Sequence, residues 1–175
     1  MATPQSGPSP EFAAGYRDMM LQGLLQEMQT TKKVIAAIPD ARRDYRPDPK
    51  ARTAWDLAWH LVTVDVQFLH EIAEGKFNME PRYKDEPKTV NELVAWYDKN
   101  FTLAIEKARA ISPERLVVPI DLYGAFNFPA FMYLSFVNNH SVHHRGELAT
   151  YLRPMGSKVP CIYGPSADEE WKAAA

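Results

Sequence analysis

The chain has five histidines in 175 residues, and three of them lie within five positions, in NNHSVHHRGEL at 138–148. Imidazole is the side chain best suited to moving protons near neutral pH, and it is also a strong ligand for zinc, nickel, copper and iron. A helix advances about 100° per residue, so His140 and His144 stand one above the other, about 40° apart. His143 sits about 60° from His140 and about 100° from His144, on the outer side. His140 and His144 flank the line of Val137, Ser141 and Leu148, and both therefore face the interior. Two inward imidazoles must each find a polar partner. One metal ion satisfies both, and the i, i+4 spacing lets two rings grip it.

Two ligands do not make a tight site, so a third is expected from another helix. His60 in DLAWHLVTVD shares an i, i+3, i+7 row with Leu57 and Val64 and projects inward. Three histidines from two helices leave coordination positions open, which is the pattern of catalytic rather than structural sites. The competing reading for each is a hydrogen-bonded core histidine. His70 is rotated by about 80° from His60 and is expected on the outer side. Asp56, Asp65 and Asn139 are candidates to take an imidazole N–H from behind. Glu147, three residues after His144, is a candidate base or acceptor, with a surface partnership to Arg145 or Arg153 as the alternative. Tyr163 is the candidate for a tail residue folding over the mouth of the site.

Four helical segments position these residues. The first spans roughly 11–38, with Phe12, Tyr16, Met19, Leu24, Met28, Thr31, Ile35 and Ile38 on its apolar stripe and Pro39 stopping it. The second starts near Thr53, a plausible N-cap, and ends at Gly75. Residues 76–88 are polar, contain two prolines and read as a long loop. The third begins at Thr89, with Glu92 completing a capping-box pattern, and closes at Ser112–Pro113. Residues 116–128 mix β-branched and aromatic side chains with Gly124 and suit a short hairpin. The fourth follows Pro129 and ends near Pro154. The tail VPCIYGPSADEEW lacks periodicity, but its apolar residues suit packing on the helices. The expected class is all-α, an antiparallel four-helix bundle with long connections. Residues 1–10 are expected to form a flexible arm and 11–175 a single domain.

Composition narrows the function. With 46% hydrophobic residues the chain can bury one core. A net charge of −2 with scattered basic residues argues against nucleic-acid binding. The single cysteine, Cys161, cannot form an internal disulfide and fits a reducing compartment. No apolar run reaches the length of a membrane span, and the N-terminus does not read as a secretory signal, so a cytoplasmic protein is expected.

The tryptophan-rich helix TAWDLAWHLVTVDVQFLHEIAEG, the later HSVHHRGEL helix and the tail VPCIYGPSADE together resemble the DinB / YfiT-like family of small four-helix proteins. The resemblance covers nearly the whole chain after the arm. It implies a divalent metal, zinc or nickel above all, held by His60, His140 and His144, the same three that the helix geometry selects. It also implies frequent homodimers. Some related proteins are metal-dependent transferases or isomerases using low-molecular-weight thiols such as mycothiol, bacillithiol or glutathione; many have no assigned reaction. A thiol S-transferase or a hydrolase acting on a small electrophile is the sharper expectation. A non-enzymatic metal- or small-molecule-binding stress protein that dimerises is the rival, and sequence alone leaves the choice open.

Overall fold

The structure, a computed structural model, describes residues 7–170. Residues 1–6 of the expected arm lie outside the described residues, and the first helix already begins at position 10. Helix α1 (Pro10–Ala36) opens with proline at its first position and with Ser9 as cap, whose Oγ accepts the Phe12 N–H at 3.2 Å. Thr53 caps α2 (Ala54–Glu74) by accepting the Asp56 N–H at 3.0 Å, and Gly75 ends it in the left-handed region at φ 75°. Thr89 caps α3 (Val90–Arg109) by accepting the Glu92 N–H at 3.2 Å. The carboxylate of Glu92 reaches back one residue further than a capping box requires and takes the Lys88 N–H at 2.7 Å.

Helix α3 stops at Arg109, short of the expected Ser112–Pro113, which instead starts a short helix, α4 (Pro113–Leu116). The hairpin follows as β1 (Pro119–Leu122) and β2 (Phe126–Pro129), antiparallel, with Leu122 opposite Phe126. Gly124 turns it at φ 73°. A 3-10 turn at Ala130–Met132 leads into α5 (Tyr133–Leu152). The Tyr133 hydroxyl ties the hairpin down, donating to the Ile120 carbonyl at 2.7 Å and accepting from the Phe128 N–H at 3.2 Å.

The fold is mostly helical with one small sheet. Helix α2 packs on α3 and α5, and α1 packs on the same two, so each long helix touches two others. Leu24, Leu57, Leu61, Phe101, Leu134 and Leu148 are among the fully buried side chains between them. No described helix is long and apolar enough to cross a membrane.

The stripe expected along α1 is corrected at its start. Phe12 and Met19 are 59% and 61% exposed, while Ala13, Leu21, Leu24, Met28, Thr31, Val34 and Ile35 are buried. A straight helix keeps one line, and Phe12 and Met19 lie about 120° and 140° around from Leu24. The tail does pack, through Val159 and Ile162 against the core.

Candidate metal centre

His60 on α2 and His140 and His144 on α5 come together. Their ring centroids are 5.2 Å (His60–His140), 4.8 Å (His60–His144) and 4.6 Å (His140–His144) apart, all edge-to-face. One nitrogen from each lies within 4.8 Å of the other two. The Nε2 atoms of His60 and His140 are 3.3 Å apart. Two nitrogens bound tetrahedrally to one zinc ion at about 2.0–2.1 Å would be separated by about 3.3–3.4 Å. The donor set and this spacing fit a divalent ion.

The rings are held from behind. Asp65 on α2, fully buried, places Oδ1 2.8 Å from His140 Nδ1, and its Oδ2 accepts the Tyr97 hydroxyl at 3.1 Å. With Asp65 accepting, His140 carries its proton on Nδ1 and turns the Nε2 lone pair toward the other histidines. Burial raises the Asp65 carboxyl above its usual range, and the hydrogen bonds from His140, Ser141 and Tyr97 oppose that rise. Glu147 does the same service for His144, with Oε2 3.1 Å from Nδ1, while its Oε1 accepts the Tyr151 hydroxyl at 3.2 Å. Burial holds His144 below the ordinary imidazole range. Burial, then Arg52 and the other two imidazoles, bring His60 down to about 4. His60 is therefore neutral at pH 7, the form that ligates.

The remaining candidates fall elsewhere. His143 is exposed; with His144 and Glu147 it forms a second three-donor group, but there the His144 Nδ1 and Glu147 Oε2 atoms already engage each other. Asp56 and Asn139 are exposed, and the histidine rings hydrogen-bond to Asp65, Glu147 and each other instead. Tyr163 bonds to Glu27 at 2.8 Å and to Arg145, on the α1 side of α5, so its contacts do not place it over the histidines. Arg145 is no surface partner for Glu147: it is 1% exposed, and one of its nitrogens meets Glu27 Oε2 at 2.5 Å.

His70 is the clearest correction. It is 7% exposed, not on an outer face, and its Nδ1 has no partner. The C-terminal half of α2 is covered nearly all round, with Asp65, Val66, Leu69, His70, Glu71 and Ile72 all buried. Burial, then Lys107 and Arg82, bring His70 down to about 4. An unfolded imidazole protonates near 6.5 and the folded one only near 4, so the unfolded chain binds more protons between those values. Stability of the metal-free protein should fall as pH drops from about 6.5 to 4 through this group and be unaffected by it above 6.5. Urea denaturation of wild type and His70→Gln at stepped pH checks this. Wild type should lose stability more steeply by about one proton's worth in that window, and parallel curves would refute it.

A cleft of about 420 Å³ runs beside His60, along α2 on one side and the 76–88 connection on the other. Gln67 fastens that connection to α2: its Nε2 donates to the Asn78 and Glu80 carbonyls at 3.2 Å each, and its Oε1 accepts the Arg82 N–H at 3.1 Å. Tyr123, at the hairpin tip, also lines the cleft and is the one described non-glycine residue at positive φ, 56°. Such a conformation costs on the order of 1 kcal/mol and gathers at binding sites. A smaller apolar pocket of about 170 Å³ reaches His140 and shares Val64 and Phe68 with the cleft.

The DinB family model matches residues 12–173. The chain is 25% identical over 142 residues to the uncharacterized protein YjoA of Bacillus subtilis (strain 168), covering 79% of this chain and 90% of that one. It is 24% identical over 155 residues to the uncharacterized protein YrdA of the same strain, covering 88% and 91%. A crystal structure of a DinB-like protein from Bacillus cereus ATCC 10987 superposes with a TM-score of 0.70 at 25% identity, covering 82% of this chain and 95% of that one. The Bacillus subtilis YjoA structure, at 23% identity, gives a TM-score of 0.69 over 82% and 97% and speaks to the fold alone.

Proposed function

The chain belongs to the DinB family, and on that premise we propose that it is a divalent-metal-dependent enzyme whose ion, zinc or nickel, is held by His60, His140 and His144. When bound, such an ion lowers the pKa of a thiol or water toward neutrality and so supplies a nucleophile for a small electrophile. The observation that carries the reading is the convergence of three imidazole nitrogens within 4.8 Å beside an open cleft that His60 itself lines. A closed structural site would have a fourth protein ligand and no ligand-sized space at its edge.

The chain's own residues have separable roles in this reading. Asp65 and Glu147 orient His140 and His144; with both its oxygens engaged, Glu147 serves as a positioning group and not as a free base. Trp59, Val64 and Phe68 line the cleft around His60 and exclude water from one side of it. The four long helices, each packed on two others, support an antiparallel four-helix bundle as the scaffold.

Cobalt-substituted protein tests the open position. Adding 2-mercaptoethanol should shift the visible cobalt bands and raise a sulfur-to-cobalt charge-transfer band that saturates at one thiol per metal. A spectrum unmoved by saturating thiol would mean a closed shell, and the chain would then be a metal-binding protein without this chemistry.

A further inference from the structure

We infer that the cleft beside His60 is built for an amphiphilic substrate carrying a positive charge, with its cation at the Asp56–Glu86 end and its apolar body at the Phe68–Met79 end. This rests on the proposed metal centre only for where the reacting bond lies. The polarity of the cleft stands on its own geometry.

The order of residues gives the cleft its direction. On α2 the lining runs Asp56, Trp59, His60, Thr63, Val64, Phe68, a span of about 18 Å at 1.5 Å per residue. The 76–88 connection runs back along it. Gln67 holds Asn78 and Glu80 at the far end, and Trp96 joins the near end by packing on Trp59 at 5.0 Å and on Tyr83 at 4.9 Å. Asp56, Trp59, Tyr83 and Glu86 thus gather at one end, and Phe68, Met79 and Tyr123 at the other, with His60 between them.

The near end combines two carboxylates with two aromatic side chains. Aromatic faces attract cations, and more strongly where water is partly excluded. No Lys or Arg lines the cleft among the described residues. Arg82 is drawn away to Glu74 at 2.6 Å, and Arg52, which His60 feels, stands outside the lining. No side chain along the walls would neutralise a carboxylate, sulfonate or phosphate on the substrate, and the proposed ion at His60 stands between the two ends and not at the Asp56–Glu86 end. The polar groups deeper in are spent on the protein: Thr63 donates to the Trp59 carbonyl at 2.7 Å, Tyr123 to the Asn78 carbonyl at 2.9 Å, and Gln67 holds the connection. Its far end therefore offers aromatic and thioether surface to an apolar group.

The test uses three probes with one phenylpropyl body: 3-phenylpropyl-trimethylammonium, 3-phenylpropan-1-ol and 3-phenylpropane-1-sulfonate. Calorimetry on metal-free protein should show the ammonium binding about tenfold tighter than either of the others, and zinc-loaded protein should still prefer it to the alcohol. The double variant Asp56→Asn/Glu86→Gln, both positions exposed, should bring the ammonium to within about twofold of the alcohol and leave the alcohol unchanged. Equal binding of all three probes, preference for the sulfonate, no binding at all, or an unchanged ammonium affinity in the double variant would each overturn the inference. The metal-free arm separates the two readings. Ammonium preference in a chain that takes up no zinc would sink the metal centre alone, and sulfonate preference in the metal-free form of a chain that does take up zinc would sink this one alone.

Discussion

Protein purified without a tag and loaded with zinc should hold close to one ion per chain, and His60→Ala, His140→Ala and His144→Ala should each weaken that binding by about a hundredfold to ten-thousandfold. The range follows from sharing a zinc binding free energy of about 10–16 kcal/mol over three imidazoles and whatever small ligands complete the shell. Asp65→Asn should weaken it less, by about tenfold to a hundredfold, because the ligand stays and only its orientation and basicity suffer. The substitution is pointed: Asp65 accepts from His140 at 2.8 Å and from Tyr97 at 3.1 Å, and an amide cannot accept on both sides. His143→Ala should change affinity by less than about twofold, since His143 stands outside the converging three. Competition titration with a chromophoric chelator reads wild type and all five variants. The opposite pattern, with His143→Ala losing the ion and His60→Ala keeping it, would move the site to His143, His144 and Glu147 and defeat the assignment.

The second large effect concerns stability. Arg145 is 1% exposed and reaches Glu27 Oε2 at 2.5 Å, the Glu27 carbonyl and Thr31 Oγ1 at 3.3 Å each, and the Tyr163 hydroxyl; its guanidinium also lies 5.1 Å from the Tyr163 ring centre. Arg145→Met keeps much of the volume and should cost about 2–3 kcal/mol, since it leaves the Glu27 carboxylate, one-fifth exposed and still bonded to Tyr163, without the charge it was paired with. Arg145→Lys should recover only a part, because an ammonium cannot span Glu27, Thr31 and Tyr163 as a planar fork does. The double variant Arg145→Met/Glu27→Leu should lose less than Arg145→Met alone, as removing both charges removes the unpaired one. Urea denaturation of the three variants decides it: a loss below about 1 kcal/mol for Arg145→Met would show that the clasp contributes nothing measurable.

The three histidines were legible because a single helix's periodicity fixes the angle between its own residues, and because His60 shares a row with Leu57 and Val64. The helix caps at Thr53 and Thr89 were legible for a similar reason: the cap interaction is local, within three residues. Asp65 could be offered as a candidate but not chosen over Asp56, since the choice depends on how α2 faces α5. Arg145 was misread for another reason. It lies four residues after Ser141, on the inward line through Val137 and Leu148, yet arginine is seldom fully buried, so its type points to the surface while its position points inward. The missing information was Glu27, 118 residues away. His70 failed because an angle measured from His60 locates an outer face only if the helix has one, and the C-terminal half of α2 does not. Tyr163 lies in a segment with no repeat, and nothing in its spacing says which helix it meets.

The two walls of the cleft have different origins. Helix α2 supplies one, His60 included, and is packed on α3 and α5, whereas Met79, Tyr83 and Glu86 come from a connection without regular structure and Tyr123 from a hairpin tip. A gene encoding such a chain can drift at those loop positions and reshape the cleft without disturbing the three histidines. Paralogues arising by duplication would then keep one histidine cluster and differ in what the cleft admits, with selection acting on a handful of codons and the scaffold inherited whole.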